Sequence, residues 1–153
     1  MKKLLMAAAI GAAGLVGTGA QSATTSGSFD VNINLTSACS LGAITAVDFA
    51  YTSGGAAAAS TGGGFNITCT NTLPYSFAIH QPFPGPVATF PATDNAVNLQ
   101  YTLTAPAAGA GNGAAQALTI TGNMPAGQSG TCALASCTNG AATNKTYFLV
   151  VTY

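Results

Sequence analysis

The stretch that most constrains this chain runs from Ser28 to Leu35, where Phe29, Val31, Ile33 and Leu35 alternate with Asp30, Asn32 and Asn34. A period of two is that of a β-strand, and it collects the four apolar side chains on one face and the polar ones on the other. Burying those four side chains is worth about 1.5–3 kcal/mol each, about 6–12 kcal/mol together, before the cost of ordering the segment. Left in water, the same face is an open edge that invites aggregation. The stripe therefore has two destinations, the chain's own sheet or the sheet of a neighbouring copy. The first makes a monomeric sandwich and the second makes a polymer subunit.

The segment before it reads as a secretory signal over residues 1–22. Lys2 and Lys3 form the basic start, Leu4 to Val16 the short apolar run, and Gly17 to Ala23 a string of small residues. Cleavage after Ala20 places Thr18 at the third position before the cut, and cleavage after Ser22 places Ala20 there. Cleavage after Ala23 would place the larger Gln21 at that position. The apolar run is too short for a membrane span, so no membrane insertion is expected once the signal is removed. About 130 residues then remain, enough for one domain with one core. They divide into an N-terminal arm over 23–37 and a domain over 38–153.

Charge is scarce. The whole chain holds three basic and three acidic side chains, and beyond the signal only Lys145 stands against Asp30, Asp48 and Asp94. Without a basic patch, nucleic acid is not an expected partner. A surface kept wet by Thr, Asn, Ser and Gln offers little repulsion between copies. No Gly-x-Ser-x-Gly, no His-Glu-x-x-His and no paired carboxylates occur, so no catalytic residues and no cofactor are expected, and the chain is not read as an enzyme. The single histidine, His80, ends an apolar run and has no ligand-spaced partner, so no metal site is expected either.

Four cysteines in an exported chain read as two disulfides. The natural pairing joins Cys39 to Cys69 and Cys132 to Cys137, although four cysteines allow three pairings. The longer loop contributes about 3–4 kcal/mol by the loop-entropy argument and the shorter about 2 kcal/mol.

Beyond the arm the pattern is all-β. Strands are expected over 46–51, 65–69, 75–80, 97–103, 117–121 and 147–153, each short, rich in branched or aromatic residues and bounded by Gly, Pro, Asn or Ser. Residues 53–64, 105–116 and 125–146 read as loops, and the prolines within 81–93 mark an irregular crossing or a sheet edge. The closing run is apolar on both faces, with Tyr147, Leu149, Val151 and Tyr153 on one and Phe148, Val150 and Thr152 on the other. It therefore sits centrally or lines a groove. An immunoglobulin-like sandwich needs about seven strands, and the last is missing here unless residues 29–35 take its place.

Several segments taken together resemble the spore coat protein U domain, a family that includes the pilins of archaic chaperone–usher pili. These are the alternating arm ending at Cys39, Val47-Asp48-Phe49, Gly63-Gly64-Phe65-Asn66-Ile67-Thr68-Cys69-Thr70 and Pro74-Tyr75. They continue with Asn98-Leu99-Gln100-Tyr101-Thr102-Leu103, Ile120-Thr121-Gly122-Asn123-Met124-Pro125 and the aromatic-ended last strand. The chain departs from the family pattern at Ala50, over 139–146 and in the Cys132–Cys137 loop.

The resemblance implies an incomplete immunoglobulin-like β-sandwich completed by a donor strand from a neighbouring subunit, the strand-addition mode of recognition. It implies Phe29, Val31, Ile33 and Leu35 as the donated side chains and an acceptor groove that includes Leu149, Val151 and Tyr153. Its implied partners are other copies in a head-to-tail homopolymer, a periplasmic chaperone and an outer-membrane usher, with the product a secreted cell-surface fimbrium serving adhesion or biofilm. The competing expectation is a monomeric surface or coat sandwich in which the arm is simply the first strand.

Overall fold

The computed structural model describes residues 24–81 and 85–153. The expected signal over 1–22 with its cleavage point, the first residue of the expected arm, and Pro82 and Pro84 lie outside the described residues.

Residues 35–153 form one unit. In chain order its strands are β1 (Cys39–Leu41), β2 (Val47–Asp48), β3 (Ala58–Ala59) and β4 (Thr61–Gly62). There follow β5 (Gly64–Cys69), β6 (Pro74–His80), β7 (Thr89–Thr93) and β8 (Gln100–Thr104). The last four are β9 (Gly109–Ala110), β10 (Ala115–Thr119), β11 (Thr121–Met124) and β12 (Phe148–Thr152). Every pairing is antiparallel, in sheets ordered β1-β5-β10, β3-β11-β8-β7 and β12-β6-β9, with β2 paired to β4. No helix occurs among the described residues, and the architecture is an all-β sandwich of the immunoglobulin-like kind.

The core follows from alternation. Phe65, Ile67 and Cys69 point inward from β5, and Tyr75, Phe77 and Ile79 from β6, while the residues between them face out or lie half-buried. Phe65 and Phe77 meet edge-on at 5.7 Å between ring centres, a favourable aromatic geometry. Phe90, Tyr101, Leu103, Ile120 and Met124 complete the cluster. Cys39 lies directly opposite Cys69 in the β1–β5 register, and the two form a disulfide; Cys132 and Cys137 form the second.

Sequence expectation and structure part in several places, β9 within the expected loop 105–116 among them. The expected strand over 46–51 shortens to β2, and the Gly/Ala-rich stretch 53–64 contains β3 and β4 rather than a simple turn. Gly62 and Gly63 explain the latter: both have positive φ, and a Cβ at either would collide with a backbone carbonyl, of Ala46 or of Ile120. The close approach of three backbones, not side-chain pattern, makes these strands. The expected strand over 117–121 divides at Ile120 into β10 and β11, which belong to different sheets. Ile120 is buried at the crossing and donates its N–H to the Gly63 carbonyl at 3.0 Å.

A further difference is β7, within the proline-marked region. The Asp94 N–H donates to the Leu99 carbonyl and the Ala105 N–H to the Ala88 carbonyl, both at 2.8 Å, so even-numbered residues turn their backbone groups towards β8. Odd-numbered residues face the open edge. There Val87 is already bonded to Ile79, Pro91 has no N–H, and the Thr93 carbonyl accepts from the Asn144 side chain at 2.7 Å. An edge strand carrying proline is a blunted one.

As for the arm, residues 24–38 carry no strand within the chain's own sheets. Phe29 is 85 % exposed, Val31 71 %, Ile33 87 % and Leu35 75 %. An extended segment gains a strand's hydrogen bonds only from a ladder partner, and alternation alone supplies none.

Candidate functional site

The last strand has one partner. β12 pairs with β6 from Phe148 opposite His80 to Thr152 opposite Ser76, and its other edge carries no ladder among the described residues. Leu149, Val150 and Val151 are only half-buried, although each belongs to a residue type that favours full burial.

Against the first residues of this strand lies a cleft of about 760 Å³. One wall is the segment 44–49, which includes β2, and the other is the start of the closing run, Tyr147 to Leu149. The floor is apolar, formed by Ile79, Leu103, Ile120 and Met124. Cys137, Thr138, Asn139 and Lys145 also line it, and the Lys145 ammonium donates to the Gly140 carbonyl at 3.0 Å.

An aromatic cluster reaches the cleft through Phe49, Tyr101 and Tyr147, with Phe90 buried behind them. Phe49 lies 5.6 Å from Tyr101, Tyr101 6.3 Å from Tyr147, and Tyr147 5.3 Å from Phe90, centre to centre. The hydroxyls of Tyr101 and Tyr147 share a hydrogen bond of 2.6 Å. Burial pushes the Tyr101 phenol well above its ordinary range, with the bond to Tyr147 and the nearby charges of Tyr147 and Asp94 adding to the rise. Burial also raises Tyr147, and the Tyr101 bond partly offsets it. Asp94 is 3 % exposed; its Oδ1 accepts from the Ala96 and Val97 N–H groups at 2.8 and 2.9 Å. Its Oδ2 has no hydrogen-bond partner among the described residues.

The three expected groove residues separate. Leu149 lines the cleft, Val151 is half-buried against the core further along β12, and Tyr153 is 58 % exposed and outside the cleft lining. Sequence reasoning did not assign Tyr147, Tyr101, Phe49 or Val47 to the site. Tyr147 was within reach, because it shares the face of Leu149 by alternation. Tyr101 and Phe49 required the tertiary fold. His80 closes β6 opposite Phe148, with 6.5 Å between the rings.

Chemically, the cleft offers an apolar trough flanked by unpaired main-chain groups. That combination accepts an extended peptide, whose backbone continues the sheet while alternate side chains enter the trough. Its titratable side chains are three hydrogen-bonded phenols (Tyr51, Tyr101 and Tyr147), two carboxylates (Asp48 and Asp94) and one lysine bonded to a loop carbonyl. No protein-family model matches the chain, and neither does any curated protein.

Proposed function

We propose that this protein is a structural subunit of a secreted surface fibre, assembled by donor-strand exchange through a chaperone–usher pathway and serving adhesion or biofilm. In this reading residues 29–35 of one copy occupy the cleft beside β12 of the next. One observation carries it: the same chain holds an unpaired arm with four exposed alternating apolar side chains and a strand edge with an empty ladder and an apolar trough. Each surface lacks what the other has. Joining them buries the stripe worth about 6–12 kcal/mol before ordering costs.

The remaining features agree with an exported subunit. Two disulfides suit an oxidising compartment. No helix among the described residues is long and apolar enough to cross a membrane. Until the next copy arrives, a chaperone strand would have to cover the groove, and an usher would exchange it for the arm.

Deleting residues 24–36 tests the reading. The shortened chain keeps an intact groove, so it should bind a synthetic peptide of residues 24–37 and form no head-to-tail ladder on an unheated gel. Ladders from the shortened chain would rule out the arm as donor.

A further inference from the structure

We propose that the Cys39–Cys69 disulfide is a mechanical bypass, which passes tension arriving through the arm into the core strand β5 and keeps it off the wall of the groove. This rests on the fibre reading above. In a fibre joined by inserted arms, each copy is pulled at two places, the root of its own arm and the groove that grips its neighbour's. Both lie on one short stretch of chain. The arm enters β1 at Cys39, and the groove wall begins at Ile44, only a few residues further on.

Without a crosslink, tension would travel along residues 40–43 into that wall. Only short pairings would resist it: the three residue pairs of β1 with β5, the two of β2 with β4, and the bonds from the Gly42 N–H to Asn66 at 2.8 Å, the Thr45 N–H to Gly64 at 3.0 Å, the Gly63 N–H to Ala46 at 2.8 Å and the Gly64 N–H to the Thr45 hydroxyl at 2.9 Å. Each such bond contributes only about 0.5–1.5 kcal/mol net. Peeling them would draw the 44–49 wall away from the floor and open the groove while it holds its arm. Tension would thus loosen the joint it loads.

The disulfide changes the route. Cys39 is the first residue of β1 and bonds covalently to Cys69, which is 2 % exposed at the end of β5. β5 is bonded on both sides, to β1 and β10, and anchored in the core by Phe65 and Ile67. Force therefore leaves the chain at Cys39 and enters a strand held on both sides, so residues 40–43, between the root of the arm and the groove wall, carry little of it.

Fibres assembled oxidised from the native chain can be stretched singly before and after reduction. Reduction should lower the force at which one copy releases the next by about twofold or more, because forced release is set by the barrier to opening. It should also free up to about 100 Å of extra length per copy, from the 30-residue separation at ~3.3–3.6 Å per residue. Fibres of a Cys39→Ser/Cys69→Ser chain should match the reduced ones. Equal release forces overturn the proposal, as does a fibre that falls apart on reduction without load, since the bond would then hold the fold rather than carry tension. Failure of the fibre reading shows earlier and separately, as an oxidised chain that forms no ladder of copies.

Discussion

The arm and the closing strand carry nearly the same pattern, apolar side chains at every second position in a short run with branched or aromatic residues, and the fold treats them oppositely. β12 lies against β6 over five residue pairs, and its inward side chains are at least half-buried. The arm has no ladder, and each of its four apolar side chains is more than two-thirds exposed. Alternation reports how a segment will sit once paired, whereas a free backbone edge at the right distance decides whether it pairs. On the reading proposed above, a stripe without an edge in one copy meets an edge without a stripe in the next.

Substitutions in the two regions sharpen this contrast. Ile67→Ala in β5 removes a fully buried side chain and should cost about 2–5 kcal/mol of folding stability, read from urea midpoints. Ile33→Ala in the arm should leave the monomer's midpoint unchanged and weaken binding of the arm peptide to the shortened chain by about 1.5–3 kcal/mol, roughly 10–150-fold. Equal monomer losses at both positions would mean that the arm is part of the body after all. Tyr147→Phe strips Tyr101 of its hydroxyl partner and should cost about 0.5–1.5 kcal/mol, since the open cleft lets water replace the bond.

The smallest effect is one of pH. Folding raises the phenols of Tyr101 and Tyr147 above the ordinary tyrosine value of about 10. Above that value the unfolded chain sheds protons that the folded chain retains, so the contribution is whole below about pH 10 and declines as pH rises. Urea midpoints between about pH 8 and about pH 11 should show the decline, and Tyr101→Phe should flatten it. A decline of the same size in Tyr101→Phe would place its cause in a group other than Tyr101.

Much of the body was legible because its central strands are self-announcing. Phe65-Asn66-Ile67-Thr68-Cys69 and Tyr75-Ser76-Phe77-Ala78-Ile79 alternate large apolar with polar or small residues, and they form β5 and β6. The disulfide pairing was legible from loop sizes and composition. β3, β4 and β9 were not, because Ala-Ala, Thr-Gly and Gly-Ala have no face to bury; the backbones that approach them make them strands. Ile120 hid a change of sheet inside an apparently continuous run. For the site, alternation along β12 points to Leu149, Val151 and Tyr153 alike, whereas the cleft lining includes Leu149 and stops short of the other two. Tyr101 and Phe49 come to the cleft from β8 and from the segment after β2, a convergence that no local pattern encodes.

Pro91 has a consequence at the scale of many molecules. A monomer with one reactive head and one reactive tail grows into linear chains, whereas a third reactive position yields branches and ultimately a gel. With the outer rim of β7 closed by Pro91, by the Val87–Ile79 bond and by Asn144, that rim would offer a subunit of the proposed fibre no further growing position.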